Sequence, residues 1–302
     1  MIVTVGSINM DMVIKVERQP QRGETIIGSD YALYSGGKGA NQAVAAVRLG
    51  VLVRMAGAVG RDAFGAQLVQ SLKAEGVDTA WVMATEHTSG IAVVTVDDQG
   101  GNSIVVSPGA NANLKPADIP DEIFKGSNVL LLQHEIPLET IQDSAYRGGR
   151  AGAKVVLNTA PALKLGPEAY TDVDVLVLNE LEAATLTGQS SPQGAREALE
   201  MLDILRAFVP TVVLTLGDKG AVWAEGNEKG HIQAIPVEAV DTTAAGDAFV
   251  GALAVGLSRA QSLQDALRFA NAVGALATTK PGAQASLPTA HDVAVLLEES
   301  VL

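Results

Sequence analysis

The chain has 302 residues, a formal net charge of −13 and a hydrophobic content of 47%, and it contains no cysteine. This length can bury the core of one large domain, with or without a smaller one, and the hydrophobic content argues against a disordered chain. The negative charge argues against a nucleic-acid partner, and the absence of cysteine excludes disulfides, thiolate metal sites and cysteine nucleophiles.

The apolar runs of the chain are too short to span a bilayer, the longest lying near 129–132 and 248–257. No membrane partner is therefore predicted. Residues 1–6 begin as a strand, without the basic region and cleavage pattern of an export signal, so we expect a cytoplasmic protein.

Short β-rich runs alternate with longer segments at helical spacing, which predicts an α/β fold with a mostly parallel central sheet flanked by helices. Strands are predicted at 2–5, 52–58, 129–133, 154–157, 173–178 and 211–216. Helices are predicted at 39–49, 64–75, 138–151, 193–208, 247–257, 263–279 and 290–299.

Two stretches interrupt this alternation and indicate a separate small antiparallel sheet. The first, 12–34, contains the turn-prone Gln19-Pro-Gln-Arg-Gly23, and the second, 90–106, turns at Asp97-Asp-Gln-Gly-Gly101. The sheet is either peripheral or a lid over a site. The predicted domains are an α/β core at 1–11, 35–88 and 108–302, and a β lid at 12–34 and 89–107.

The segment Gly6-Ser-Ile-Asn-Met-Asp11 follows the first predicted strand, at the edge where open α/β sheets bind ligands. If the backbone stays extended, the side chains of Asn9 and Asp11 share one face. An amide together with a carboxylate suits the hydroxyls of a sugar, because the pair both donates and accepts hydrogen bonds. Capping of a turn by these residues is the alternative.

Gly36-Gly-Lys-Gly-Ala-Asn-Gln42 is a glycine-rich turn that leads into a helical run. The glycines let the backbone approach a ligand, and Lys38 and Asn41 supply hydrogen-bond donors. The segment is neither the phosphate-binding loop of NTPases nor the dinucleotide fingerprint, because the positions that those motifs require hold other residues. A simple strand-to-helix turn is the alternative.

In Asp241-Thr-Thr-Ala-Ala-Gly-Asp-Ala-Phe-Val-Gly-Ala-Leu253, two carboxylates flank small residues that precede an apolar helix. The backbone N–H groups of Ala244, Ala245 and Gly246 and the dipole of the helix favour a bound anion. Asp247 lies at the same turn, where it can accept a proton from an attacking hydroxyl. The pattern indicates a phosphoryl-transfer site, and a helix start capped by Asp247 is the alternative.

These motifs resemble the two signatures of the ribokinase and fructokinase family of carbohydrate kinases. Segment 36–50 is similar to the first signature and 241–253 to the second, in the order of the family, and the resemblance extends over essentially the whole chain. Two long signatures far apart are more specific than one glycine-rich loop. The resemblance implies a Rossmann-like, ribokinase-like core with a small β lid.

The resemblance also implies a role for each matching position. Asp247 matches the catalytic base, and Ala244, Ala245 and Gly246 match the anion hole. The positions that match sugar-binding residues are Asn9, Asp11, Gly37, Lys38, Asn41, Glu135 and Asp247. Those that match ATP-binding residues are Asn179, Glu182, Thr215, Gly217 and Asn271, and Glu182 also corresponds to indirect handling of magnesium. A monovalent-cation loop matches Asp241, Thr243, Ala277, Lys280, Gly282 and Ser286.

The activity implied by the resemblance is in-line transfer of the γ-phosphoryl group of ATP to a sugar hydroxyl, most specifically O5 of D-ribose. The implied cofactors are ATP as co-substrate, Mg²⁺ and a monovalent cation, for which K⁺ is expected. A kinase for deoxyribose, fructose or a nucleoside is the nearest alternative. A noncatalytic sugar-binding protein is a second alternative, and a nicotinamide-dependent dehydrogenase of similar architecture lacks its fingerprint here.

The predicted lid has two expected functions. Closure over the site would exclude water, which otherwise competes with the sugar as acceptor. Its edge strands would be exposed in a monomer, so we expect a homodimer that forms through the lid.

The segment Asn179-Glu-Leu-Glu182 also has a local interpretation that needs no ATP: a helix start with acidic residues favoured by the helix dipole.

Overall fold

The computed structural model describes residues 1–99 and 101–299. Within these ranges, the strands of a large sheet are β1 (Ile2–Val5), β4 (Val53–Gly60), β5 (Asp78–Thr85), β8 (Val129–Gln133), β9 (Lys154–Asn158), β10 (Val175–Asn179), β11 (Thr211–Thr215), β12 (Ala221–Glu225) and β13 (Glu228–Ile232). The strands of a small sheet are β2 (Asn9–Val16), β3 (Ala32–Gly36), β6 (Gly90–Asp97) and β7 (Asn102–Ser107).

The helices are α1 (Lys38–Arg48), α2 (Ala63–Ala74), α3 (Leu138–Arg150), α4 (Glu180–Thr187), α5 (Ala195–Leu205), α6 (Ala245–Ser258), α7 (Leu263–Ala277), α8 (Ala283–Ser286) and α9 (Ala290–Glu299). Among these described helices, none has the length and hydropathy to cross a membrane. Residue 100 of the predicted 97–101 turn and residues 300–302 of the predicted core lie outside the described residues.

The large sheet has the strand order β13-β12-β11-β10-β9-β8-β1-β4-β5. It is parallel from β11 to β5, and β12 and β13 continue it as an antiparallel hairpin. The predicted α/β class with a mostly parallel sheet is therefore confirmed. Because the parallel strands run the same way, their carboxyl ends lie at one edge, where ligands bind in open sheets.

Helices cover both faces of the large sheet. The alternation within β8 illustrates this, since Leu130 and Leu132 belong to one buried cluster while Val129 and Leu131 belong to the other. The cluster that contains Val129 and Leu131 includes residues of α1, α2, α6 and α7. The cluster that contains Leu130 and Leu132 includes residues of α3, α4 and α5. Strands covered on both faces are continuous apolar runs, which is why they were predictable.

Some described elements were not predicted. They are β5, β12, β13, α4 and α8. Strands β5 and β13 form the two edges of the large sheet and have exposed positions, so they lack the continuous apolar run of the central strands. Strand β12 is a short apolar run, which periodicity alone cannot distinguish from a helical segment.

The small sheet has the strand order β3-β2-β6-β7, and its central pair differs from the predicted antiparallel pattern. Strands β2–β3 and β6–β7 pair antiparallel, whereas β2 and β6 pair parallel. The reason is topological, because β2 and β6 belong to separate hairpins joined through α1, β4, α2 and β5. The sheet also begins at Asn9, earlier than the predicted limit at residue 12.

Side chains fix the two points at which the chain enters the small sheet. Asp62 caps α2 and accepts hydrogen bonds from Ser89 N at 2.8 Å and Ser89 Oγ at 2.7 Å, immediately before β6. Asn111 accepts from Ile8 N at 3.0 Å and donates to Ile8 O at 3.1 Å, immediately before β2. These bonds satisfy buried backbone groups that a sheet ladder would otherwise pair.

Close packing of α1 on α6 generates a stability prediction. A Cβ atom at Gly251 would lie 2.7 Å from Ala45 Cβ and 2.8 Å from Gln42 O. We therefore expect Gly251→Ala to lower the free energy of unfolding by about 1–3 kcal/mol, as overpacking does. Urea denaturation of the purified protein measures this.

Gly149→Ala in α3 is the matched control. Its Cβ would lie 3.8 Å from Val155 Cγ2, an ordinary contact. This change should raise stability by roughly 0.5–1 kcal/mol, because alanine loses less backbone entropy in a helix. An unchanged or higher stability of Gly251→Ala would contradict the close-packing argument.

Candidate active site

A cavity of about 240 Å³ lies at the carboxyl edge of the large sheet. Predicted residues from separate parts of the chain line it together: Lys38, Asn179, Glu182, Thr215, Ala244, Gly246 and Asp247. Polar residues end the strands on its floor, since β9 ends in Asn158, β10 in Asn179 and β11 in Thr215. The cavity therefore has polar groups directed toward it from the sheet as well as from the helices.

Asp247 lies within the first turn of α6, which begins at Ala245. The helix-cap position is Ala244, in a left-handed conformation with φ of 59°, so the alternative of Asp247 as the capping residue is wrong. A left-handed alanine is uncommon, since its Cβ disfavours this conformation. It turns the chain so that α6 begins at the cavity.

The Asp247 carboxylate is buried and accepts two hydrogen bonds from α1. Asn41 Nδ2 donates to Oδ2 at 3.0 Å, and Gln42 Nε2 donates to Oδ1 at 3.1 Å. Of the predicted anion hole, the Ala245 N–H donates to Thr242 O at 3.2 Å. The N–H groups of Gly246 and Asp247 lie in the first turn, where helix geometry provides no intrahelical acceptor.

Lys38 lies among the carboxylates of the site. The Asp247 carboxylate, followed by those of Glu135, Glu182 and Asp11, raises the pKa of the Lys38 ammonium against the effect of its burial. Burial raises the pKa of Asp11 to about 7, and the Glu135 and Asp247 carboxylates act in the same direction. Asp11 is thus the carboxylate whose charge changes near neutral pH.

Glu135 connects the end of β8 to the glycine-rich turn. Its Oε2 atom accepts from Ser7 Oγ at 2.5 Å and from Lys38 N at 3.1 Å. The turn itself requires glycine at two positions. A Cβ at Gly36 would lie 2.1 Å from Asp11 Oδ2, and one at Gly37, where φ is 90°, would lie 2.7 Å from Asn9 N. The predicted sugar-binding residues are therefore brought together.

The segment from Asn179 to Glu182 forms a capping box at the start of α4. Asn179 Oδ1 accepts from Glu182 N at 2.9 Å, and Glu182 Oε2 accepts from Asn179 N at 2.9 Å. Burial raises the pKa of the Glu182 carboxyl, and hydrogen bonding to Asn179 N and the Lys38 charge oppose this. The alternative interpretation of this segment as a helix start is therefore correct, and the Asn179 and Glu182 side chains also line the cavity.

Two other predicted ATP-binding residues are not in the lining of this cavity. Gly217 lies in a short 3-10 helix after β11. Asn271 is buried in α7, where its Nδ2 donates to Gln233 O at 2.7 Å. Thr215 does line the cavity, so the predicted set is only partly gathered around it.

The predicted cation loop is held together by Asp241. Its Oδ1 accepts from Thr243 N at 2.9 Å, and its Oδ2 accepts from Gly282 N at 2.8 Å. Burial acts to raise the pKa of Asp241, but these hydrogen bonds outweigh it and the pKa lies below its usual value. Ala277 ends α7, and Lys280 and Ser286 line a separate cavity of about 280 Å³ toward α9.

Residues of the site that were not predicted are Ser7, Gln42, Asn111 and Asn158. Gln42 directly follows Asn41 within the first signature, and Asn158 ends an apolar strand. A polar residue at the carboxyl end of each buried strand is a signal that would have identified Asn158. Asn111 donates to Asn9 Oδ1 at 2.7 Å across 102 residues of sequence, which no local pattern indicates.

A carboxylate at the start of a helix, beside an ammonium and a second carboxylate, fits an enzyme that transfers a charged group between small molecules. The profile of the pfkB family of carbohydrate kinases matches residues 1–290, and the chain belongs to that family. It is a sugar kinase, and the family resemblance of its two signatures is confirmed.

Individual relatives match over nearly the whole chain. The ribokinase of Haemophilus influenzae is 37% identical over 304 residues, covering 99% of each chain. The deoxyribokinase of Salmonella typhi is 34% identical over 292 residues, covering 95% of each. The structure of Arabidopsis thaliana ribokinase complexed with ribose and ATP is 32% identical, covers 98% of each chain and has a TM-score of 0.90.

The raised pKa of Asp11 generates a prediction about stability and pH. Folding of the free protein raises this pKa from its unfolded value of 3.8 to about 7, so stability falls as pH rises between these values. Asp11→Asn removes the ionisation. It should be more stable than the parent at pH 8 by on the order of 1 kcal/mol, after allowance for partial exposure, with a smaller gain at pH 4.5.

Urea denaturation at both pH values measures the two differences. A gain that is larger at pH 4.5 than at pH 8 would contradict the sign of the shift.

Proposed function

We propose that this sugar kinase transfers the γ-phosphoryl group of ATP to O5 of D-ribose. The observation that carries the proposal is the position of Asp247, whose carboxylate is held by Asn41 and Gln42 and faces a cavity shared with Lys38 and Glu182. The 37% identity to the H. influenzae ribokinase and the likeness to the A. thaliana ribokinase structure with ribose and ATP support the choice of sugar.

The sugar is proposed to bind between the small sheet and α1. Asn9 and Asp11 belong to β2, Asn41 belongs to α1 and Glu135 follows β8, so hydroxyls would meet amide and carboxylate groups from separate elements. The Oδ1 atom of Asn41 is buried and has no hydrogen-bond partner among the described residues. A bound hydroxyl group would satisfy it.

The triphosphate is proposed to lie along the start of α6 and the start of α4. First-turn N–H groups of α6 and its dipole favour the anion, and Lys38 adds a positive charge. The carboxylates of Asp11, Glu135, Glu182 and Asp247 would repel it. Glu182 would hold a magnesium ion indirectly, through water, and the charge of that ion would offset this repulsion and neutralise charge on the transferring group.

Donors in the site fit such an ion. Mg²⁺ in kinases usually keeps several waters and takes one or two carboxylates plus phosphate oxygens. Among the described residues, no group of three or more His, Cys, Asp or Glu side chains could hold a metal ion by itself. Glu182, a single carboxylate in the cavity lining, is consistent with indirect handling of the ion.

In the proposed reaction, Asp247 accepts the proton of the sugar hydroxyl as its oxygen attacks phosphorus in line with the departing ADP. The N–H groups at the start of α6 stabilise charge on the transferring group. Asp241 joins residues 241–243 to Gly282 beside this helix start, and we propose a K⁺ ion in that loop. Because ATP is abundant inside cells, we also propose a cytoplasmic location.

A deoxyribose kinase is the second candidate, because the S. typhi deoxyribokinase is nearly as similar as the ribokinases. The two sugars differ by one hydroxyl group, and a site built to hydrogen-bond a hydroxyl rejects the analogue that lacks it. Fructose and nucleosides remain in the test because their primary hydroxyls are comparable acceptors.

A panel of acceptors tests the proposal. With Mg-ATP and K⁺, ADP release should be fastest with D-ribose and at least tenfold slower with deoxyribose, fructose or adenosine, and the product should be ribose 5-phosphate. A coupled assay measures ADP, and mass spectrometry and NMR identify the product. Faster turnover of another acceptor would replace ribose in the proposal.

Asp247→Asn tests the base within the same assay. The variant keeps the shape and one hydrogen-bonding oxygen, but it cannot accept the proton, so kcat should fall by at least about a thousandfold. Ribose binding, followed by calorimetry, should change much less. Near-parental turnover would refute the assignment of Asp247 as the base.

We also propose a homodimer formed through the small sheet. Strand β7 is an edge strand and is exposed along its length, including the apolar side chains of Ile104, Val105 and Val106. An exposed apolar edge strand pairs readily with another chain, and pairing of two identical sheets would cover it.

Val105→Lys should convert the dimer to a monomer, because it introduces a charge into the proposed interface at a residue that is 70% exposed in the single chain. Leu52→Lys, at an apolar residue that is 78% exposed outside the small sheet, is the matched control and should remain dimeric. Light scattering after size-exclusion chromatography at micromolar concentration measures the mass. A monomeric parent protein would refute the dimer.

A further inference from the structure

A chain of buried side-chain amides reaches Asp247 from the interior. Gln133 Nε2, at the end of β8, donates to Gln42 Oε1 at 2.7 Å. Gln42 Nε2 in turn donates to Asp247 Oδ1 at 3.1 Å and to Asn158 Oδ1 at 3.2 Å. Gln42 and Gln133 are fully buried, and Asn158 is 8% exposed. Every polar atom of the Gln42 amide is therefore in use.

The direction of this chain is fixed by a backbone group. Asn158 Nδ2 donates to Val177 O at 3.1 Å, and a backbone carbonyl can only accept. Asn158 must consequently turn its oxygen toward Gln42, which turns the Gln42 nitrogen toward Asn158 and Asp247. Gln133 donates on the opposite side and meets the Gln42 oxygen. Rotation of the Gln42 amide by 180° would break its three hydrogen bonds, to Gln133, Asn158 and Asp247.

This orientation leaves acceptors without partners. Gln133 Oε1 and Asn41 Oδ1 are buried atoms with no hydrogen-bond partner among the described residues. Leaving a buried acceptor unpaired is unfavourable, so such atoms call for an explanation. Both side chains direct their N–H groups toward Asp247, Asn41 directly and Gln133 through Gln42. The unpaired oxygens are the consequence of giving the carboxylate its donors.

We propose that Gln42, Gln133 and Asn158 are positioning residues that hold the Asp247 carboxylate in the orientation that accepts the sugar proton. Gln42 acts on the carboxylate directly, and the other two fix which end of the Gln42 amide faces it. The inference rests on the proposed function, in which Asp247 is the base. The presence of the Asp247 carboxylate is not sufficient for this role. One of its oxygens must also face the sugar hydroxyl with a free lone pair that can accept the proton.

Gln42→Met tests the direct contact. It retains the length and apolar volume of the side chain, and Asn41 still donates to Oδ2. We expect kcat to fall roughly tenfold to a hundredfold while KM for ribose changes less than about threefold, because positioning of a base acts on the chemical step. The acidic limb of the pH profile of kcat should move to higher pH, because a carboxylate that has lost a donor takes up a proton more readily.

Gln133→Met tests the indirect contact. It removes the donor to Gln42 Oε1 and leaves the residues that contact Asp247 unchanged. We therefore expect kcat to fall about threefold to fivefold, and the acidic limb of its pH profile to move to higher pH as in Gln42→Met. The other charged groups that act on Asp247 are Lys38 from α1, Asp11 from β2 and Glu182 from α4, and all of them remain. A shift in the acidic limb of the pH profile of kcat can therefore be attributed to the lost hydrogen bonds of the amide chain.

The double variant Gln42→Met/Gln133→Met separates positioning from independent damage. If Gln133 acts only through Gln42, the double variant should have the kcat of Gln42→Met, since the contact that Gln133 orients is already gone. It also lacks the unpaired Gln133 donor, so it should unfold at a higher temperature than Gln42→Met. If Gln42→Met does not fold, the double variant provides the kcat and pH measurements.

Thr140→Val is the control for loss of a buried hydrogen bond elsewhere, because Thr140 Oγ1 donates to Leu114 O at 2.6 Å at the start of α3. It should lower the melting temperature and leave kcat and the pH profile unchanged. The inference would be overturned by a kcat of Gln42→Met within twofold of the parent, by an unshifted acidic limb, or by losses that multiply in the double variant.

Failure of the proposed function would give a different result. A parent protein that phosphorylates no acceptor of the panel, or an active Asp247→Asn variant, would refute the reaction or its base. An inactive Asp247→Asn variant beside a fully active Gln42→Met variant would refute the positioning role alone. If another acceptor proves best in the panel, the same variants are measured with that acceptor.

Discussion

The buried Asp247 carboxylate is the constraint on which the rest of the site depends. A buried charge is tolerated only when hydrogen bonds or opposite charges compensate it, and here Asn41 and Gln42 provide the hydrogen bonds. Both donors belong to α1, whereas the carboxylate belongs to α6, so the two helices must pack closely. Gly251 permits this approach, because any side chain at that position would collide with α1. Packing of the core and chemistry of the site thus impose the same requirement on one pair of helices.

The balance of charges around Lys38 explains why the site needs its substrates and ions to be complete. Lys38 is surrounded by the carboxylates of Asp11, Glu135, Glu182 and Asp247, which raise its pKa and keep it charged. One ammonium does not balance several carboxylates, and the Glu135 and Asp247 carboxylates add to the effect of burial in raising the pKa of Asp11. Sugar hydroxyls that donate to these carboxylates would stabilise their charged forms. A cation accompanying the triphosphate would also stabilise the charged carboxylates. Binding of the sugar and binding of the cation would therefore each favour the other.

Much of the core was predictable because its strands are buried on both faces. The predicted limits of β1 and β8 match the structure, and those of β9, β10 and β11 differ by at most two residues at either end. Edge strands β5 and β13 were missed because a half-exposed strand has no continuous apolar run. The parallel pairing of β2 with β6 was also missed, since strands joined through five intervening elements carry no hairpin signal. Local patterns therefore identify elements and not their long-range pairing.

The same distinction applies to the residues of the site. Asn41 and Asp247 lie in recognisable motifs, but the hydrogen bond between them spans 206 residues. Support for these residues is still less visible: Gln133 ends an apolar strand, Asn158 ends the next, and neither has a motif of its own. Only the parallel order β8-β9 brings both to one edge, where Gln42 can contact them together. Asp247, Asn41 and Gln42 thus lie within motifs, whereas the topology of the sheet brings Gln133 and Asn158 to them.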